Sequence, residues 1–130
     1  MSKPTIERFD SGRVLPRSVP FPEGTAVGGM VLLSGQLGNV PGTLTLVEGG
    51  IRAETRQALD NIVAVLQGQG LGLENLLRCT VMLADIAEWP AFNAVYAEFF
   101  AGVPLPARSA FGCNGLVLGA RVEIECTAAR

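Results

Sequence analysis

Histidine is missing from the 130 residues altogether, and lysine occurs once, as Lys3. The first absence excludes Ser-His and Cys-His nucleophile pairs and any metal centre ligated through imidazole. The second argues against a Schiff-base mechanism, because Lys3 stands in the polar leading segment. No apolar run approaches the ~18 residues that cross a membrane. The opening stretch "MSKPTIERFD" has no signal-peptide core either, so the expectation is a cytoplasmic protein without membrane contact. Neither a G-x-G-x-x-G fingerprint nor a P-loop is present. Basic residues are scattered singly within a formal net charge of −2, which leaves no stripe for a phosphate backbone and no nucleic-acid partner. The three cysteines, Cys79, Cys113 and Cys126, show no C-x-x-C spacing and read as reduced, buried thiols. Chemistry is left to arginine, carboxylates, hydroxyls, thiols, backbone groups and water.

What is present describes one domain spanning residues 1–130, close to the commonest domain size. Apolar residues make up 48% of the chain and charged residues 17%, an apolar lean that suggests partner subunits cover part of the surface.

Thr5 to Phe9 reads as a short strand, and the segment "SGRVLPRSVPFPEG" as extended, irregular chain. "MVLLSGQLG" begins as a compact apolar strand and ends on Ser34-Gly35-Gln36. There Gly35 marks a bulge or a close approach to the backbone. "NVPGTLTLVEGG" reads as a turn, a weak strand and a break. From Ile51 to Gln67 the period becomes helical, with Leu59, Ile62, Val63 and Leu66 on one stripe and Arg56, Asp60, Asn61 and Gln67 opposite. "LLRCTVMLAD" then alternates as a strand, placing Cys79, Val81 and Leu83 on one face. Pro90 opens a second helix whose stripe is Phe92, Val95, Tyr96 and Phe99, a pattern of core residues. "ARSAFGC" and "ARVEIECTA" read as two further strands around the turn region "NGLVLG". The last carries Val122, Ile124 and Cys126 on one face and Arg121, Glu123, Glu125 and Thr127 on the other. The whole is an α+β domain with two helices on one face of a mixed sheet. Oligomerisation is the economical cover for the other face.

Within "LPARSAFG", Arg108 is a permanent cation among prolines and small residues, and such a group is costly to desolvate alone. Two readings stand side by side: a structural ion pair with Glu123 or Glu125, and a clamp for a carboxylate or phosphate. Glu123 and Glu125 share a strand face. They form a solvated or Arg121-paired edge, or supply one carboxylate for proton transfer beside a ligand.

"LLSGQLG", the stretch from "ETRQALDN" to "YAEFF", "PARS" and "VEIECTA" resemble, in order and spacing, the RidA/YjgF/UK114 family from about Val19 to the C-terminus. The resemblance implies a chorismate-mutase-like subunit in a homotrimer with ligand sites between subunits. It also implies hydrolysis of reactive 2-imino and enamine acids, of the 2-aminoacrylate type, to 2-keto acids and ammonia. The family is also named for an endoribonuclease activity, which the lack of histidine and of a basic groove disfavours. A non-catalytic module that binds small carboxylic acids is the alternative from another class.

By motif, the resemblance makes Arg108 the carboxylate anchor and Glu123 the group that orients water or moves a proton. Gly35, with Ser34 beside it, faces the ligand through its backbone, and Phe21 belongs to the apolar wall. Asn93 is read as structural. The family's archetype has a tyrosine where this chain has Phe21 and a cysteine where it has Ala110, changes that bear on substrate range and rate. A protonated imine is already strongly electrophilic. The expected site therefore needs no metal and no cofactor, only a held 2-imino or 2-keto acid and one placed water.

Overall fold

The computed structural model describes residues 2–130. In chain order the strands and helices are β1 (Glu7–Phe9), β2 (Gly24–Val27), β3 (Met30–Leu33), α1 (Gly50–Gly68), β4 (Leu76–Leu83), α2 (Trp89–Phe99), β5 (Ala107–Gly112) and β6 (Val122–Ala129). The strands form a six-stranded sheet in the order β1-β2-β3-β6-β4-β5. Only β4 and β5 run parallel; every other neighbouring pair is antiparallel. A parallel pair needs a crossover, and α2 provides it. Val27 pairs with Met30, so β2 and β3 turn on Gly28-Gly29, where Gly28 takes the positive φ of 56° that such a tight hairpin requires.

Both helices pack on one sheet face. Residues one turn apart on α1, such as Ala58, Ile62 and Leu66, meet Val122, Ile124, Val81 and Leu83 of the neighbouring strands β6 and β4 in one core. α2 adds Phe92 and Tyr96 to it. Cys79 and Cys126 lie opposite each other on β4 and β6, with their Sγ atoms 3.0 Å apart beneath the helices. The opposite face has no such cover: Met30, Leu32 and Phe111 are exposed. No helix among the described residues is long and apolar enough to cross a membrane.

Three local expectations change. The segment after Gly38 forms no strand; an isolated bridge between Asn39 and Leu46 is all the pairing it makes. Asn61 is not on a solvent face. It is buried, and its amide nitrogen donates to the carbonyls of Leu37 and Asn39, stitching that loop to α1. Such a residue looks polar in a periodicity count yet belongs to the core, because its hydrogen bonds are satisfied inside. Cys113 is half-buried rather than buried, its thiol donating to the Leu83 carbonyl.

The turn before β6 holds one backbone outlier. Leu118 has φ 61°, the one non-glycine residue among those described with a positive φ. A β-carbon in this left-handed region costs roughly 1–2 kcal/mol. Its side chain adds nothing to the core in return, since it stays exposed.

Candidate functional site

Arg108 pairs in register with Cys79 across the parallel β4–β5 ladder. Its side chain therefore leaves the sheet on the helix side, where the apolar stripe of α2 waits. The guanidinium carbon sits 4.7 Å from the Tyr96 ring centroid and 5.4 Å from that of Phe92. Two ring faces can hold a partly desolvated cation by about 2 kcal/mol. The expected alternative of an ion pair with Glu123 or Glu125 is not formed. Among the described residues the salt bridges are Arg56–Glu98, Arg121–Glu88 and Arg130–Glu7. Arg121 is thus spoken for by Glu88, not by the two glutamates of its own strand.

Beside Arg108 opens a cleft of about 350 Å³ bounded by Trp89, Asn93, Tyr96, Leu105 and Pro106. Two polar atoms are buried there without a partner, the Asn93 Oδ1 and the Tyr96 hydroxyl. Burial holds the Tyr96 phenol above its ordinary range. Ala110 lies two residues beyond Arg108 on the same strand face, half-buried against the core.

Glu123 looks the other way. On β6 it pairs with Met82 of β4 and alternates with the core residues Val122 and Ile124, so its carboxylate leaves the face without helices. A Cβ on Gly35 would collide with Glu123 Oε2, so the close approach signalled by that glycine is made by this carboxylate. Among the described residues no donor reaches the Glu123 carboxylate. Burial, and then the neighbouring charge of Glu125, push its pKa above the ordinary value. It lines a second cleft, of about 220 Å³, with Phe21, Gly35, Leu37, Leu44, Val117 and Leu118.

The sequence-derived candidates thus fall into two groups. Phe21, Gly35 and Glu123 meet in one cleft, while Arg108 lines another on the far side of the sheet, and no residue borders both. Ser34 borders neither. Its hydroxyl donates to the Pro22 carbonyl at 2.7 Å and its N–H to the Glu23 carbonyl, which fixes the strand end that carries Gly35.

A family model described as endoribonuclease L-PSP matches residues 14–130. The chain belongs to the RidA/YjgF/endoribonuclease L-PSP family. It is 38% identical over 124 residues to a goat protein named 2-iminobutanoate/2-iminopropanoate deaminase, an overlap of 95% of this chain and 90% of the relative. Among solved structures it resembles YEO7 of yeast, with a TM-score of 0.89 and 31% identity over 97% of this chain and 99% of that one. It also resembles TdcF of E. coli solved with bound serine, with a TM-score of 0.87 and 26% identity over 95% of this chain and 98% of that one.

Sequence reasoning missed the double duty of Phe92 and Tyr96, which it read as core alone. The signal was available: a strand that follows a helix in a crossover turns its inward residues onto that helix's stripe, and Arg108 is one of them. It missed Val117 and Leu118 for a different reason. Nothing in a turn's composition says which way its side chains lean.

Proposed function

We propose that this RidA-family chain is a hydrolytic deaminase of reactive 2-imino acids and their enamine tautomers, yielding 2-keto acids and ammonia in the cytoplasm. The observation that carries this reading is Arg108: a half-buried guanidinium with no anion among the described residues, braced on two aromatic rings at the mouth of a cleft. Its fork matches a carboxylate through two parallel hydrogen bonds. The deaminase names of relatives and the serine bound to TdcF agree with a small amino- or imino-acid ligand.

Within one subunit Arg108 and Glu123 leave opposite faces of the sheet, and a small ligand cannot touch both. We therefore assign the working site to a homotrimer, in which Arg108 of one copy faces the Glu123 cleft of its neighbour. The exposed Met30, Leu32 and Phe111 of the open sheet face supply an apolar surface for that assembly. In this arrangement Arg108 binds the carboxylate, Gly35 presents backbone to the ligand, Phe21 walls the site, and Ala110 leaves space beside the arginine. Ser34 supports the Gly35 strand end.

Water adds to the carbon of the protonated imine while the Glu123 carboxylate takes a proton from that water, giving a neutral tetrahedral amino alcohol. Glu123 returns this proton to nitrogen, the C–N bond breaks with loss of ammonia, and the hydroxyl gives its proton back to the Glu123 carboxylate as it becomes the keto oxygen. A carboxyl whose pKa is raised by burial is suited to these transfers.

The test couples a threonine dehydratase to this protein and follows the imine by semicarbazide trapping. Imine should decay well above the buffer rate, and Arg108→Ala should cut the gain by about a hundred-fold or more, the usual scale for truncating one half of a desolvated charge pair. Decay equal to buffer, with 2-keto acids still held at Arg108, would overturn the deaminase reading and leave a carboxylate-binding module.

A further inference from the structure

Leu118 is strained and exposed at once. Its φ of 61° lies where a leucine is disfavoured, and 52% of its surface is open, as is 66% of Val117's. Gly115 and Gly119 flank it with φ values of 148° and 70°, so the turn is built for the left-handed region and glycine is at hand for it. A glycine or asparagine at 118 would sit there more comfortably. The leucine side chain is therefore not explained by the turn, nor by the core, from which it is absent. What it does touch is the Glu123 cleft. There Leu118 and Val117 face Phe21, Leu37 and Leu44, and Glu123 is the one charged group of the lining.

We propose that Leu118 is a specificity-determining residue that tunes this cleft to 2-imino acids with a branched aliphatic side chain, of the kind derived from leucine, over those with a single methyl. The inference rests on the deaminase reading for the position of the reacting carbon beside Glu123. The occupant of the apolar pocket is then the substituent on that carbon. A cleft of about 220 Å³ walled by hydrocarbon leaves a lone methyl group with few contacts, whereas an isobutyl group fills more of it. Discrimination of about ten-fold or more per methylene is the usual yield of a packed apolar pocket. The Phe21 ring, without a hydroxyl, keeps the opposite wall apolar as well. Backbone strain at a ligand-facing residue is a familiar feature of binding sites, held in place by the surrounding structure.

The experiment generates the two imines in situ with a D-amino acid oxidase acting on D-leucine or on D-alanine, catalase present, and measures the gain in decay from the protein. The leucine-derived imine should be preferred at least about ten-fold, and Leu118→Gly should lower that ratio about ten-fold. Leu118→Asn, which also tolerates the left-handed backbone, should lower it similarly and guards against a glycine-specific loosening of the turn. Light scattering checks that both variants keep the parent assembly. A ratio unchanged within two-fold overturns the proposal, as does a fall seen only when the assembly breaks, which would make Leu118 an interface residue. If the parent accelerates neither imine, the deaminase reading fails by itself. Calorimetry with 4-methyl-2-oxopentanoate and pyruvate then decides the specificity. A preference for the former that Leu118→Gly removes sustains it, and equal binding of the two ends it.

Discussion

The two clefts are made differently. The one at Arg108 is drawn from regular elements: the guanidinium comes from β5 and its aromatic bed from successive turns of α2. The one at Glu123 has a single strand residue carrying its charge, and irregular chain supplies Phe21, Leu37, Leu44, Val117 and Leu118 around it. Their chemistry differs in the same way. Arg108 is a cation whose desolvation is offset by two ring faces, whereas Glu123 is an anion that no described residue of its own subunit offsets. One cleft is equipped to hold a charge, the other to be uncomfortable with one. A site for binding and then activating a small acid needs both.

Whether the two halves work together is the sharpest way to break this comparison. Arg108→Ala and Glu123→Gln chains should each be inert, but mixed, unfolded and refolded together they should recover activity. If each site takes its arginine and its glutamate from different copies, random assembly leaves about one quarter of the sites intact. Imine decay of the mixture against each parent variant measures this. No recovery from two inert chains would mean that both groups act within one subunit, which the opposed strand faces forbid; a Glu123→Gln chain active by itself would mean that Glu123 takes no part.

A smaller effect is expected from the bed under Arg108. Tyr96→Leu removes the nearer ring face while keeping an apolar side chain on the α2 stripe. It should raise KM about ten-fold or more, with a lesser change in kcat, because the guanidinium loses its preset orientation before the carboxylate arrives. Tyr96→Phe, which keeps the ring and sheds the unpartnered hydroxyl, should restore the parent KM. If Phe and Leu variants behave alike, the hydroxyl and not the ring face is what matters, and the cation–π account of Arg108 is wrong.

The same contrast explains what could be read before the fold was known. α1, β4 and α2 are long enough for periodicity to announce them, and the last strand, "VEIECTA", alternates cleanly. The face of Glu123 follows from that alternation, and so does its separation from Val122 and Ile124. Sheet order does not follow. β6 inserts between β3 and β4, so the last strand made is central, and no local pattern encodes that choice. The loop wall of the Glu123 cleft was illegible for a related reason: Phe21, Leu44 and Leu118 converge from three separate connections. The resemblance to known sequences supplied Arg108 and Glu123 as one site, yet only the register of β5 on β4 shows that a single copy keeps them apart.

The smallest expected effect concerns Glu123 as a source of instability. Its carboxyl pKa is raised in the folded chain by burial first and by Glu125 second. Between the ordinary carboxylate value and the raised one, the folded state binds more protons than the unfolded state, so stability falls as pH rises through that window. Glu123→Gln stays neutral throughout and escapes the loss. At neutral pH it should melt up to a few degrees higher than the parent, a modest gain because solvent screens a half-exposed group. The difference should vanish below the ordinary carboxylate range, where the parent's Glu123 is protonated in both states. Glu125→Gln should show a weaker version of the same gain. Thermal melts across that pH range decide the matter, and the opposite sign would be informative. A Glu123→Gln protein that melts lower than its parent at neutral pH would mean that Glu123 is paired with a cation in the assembly. The unpaired Arg108 of a second copy would be the candidate, and the two clefts would then be closed on each other until a substrate carboxylate displaces the glutamate.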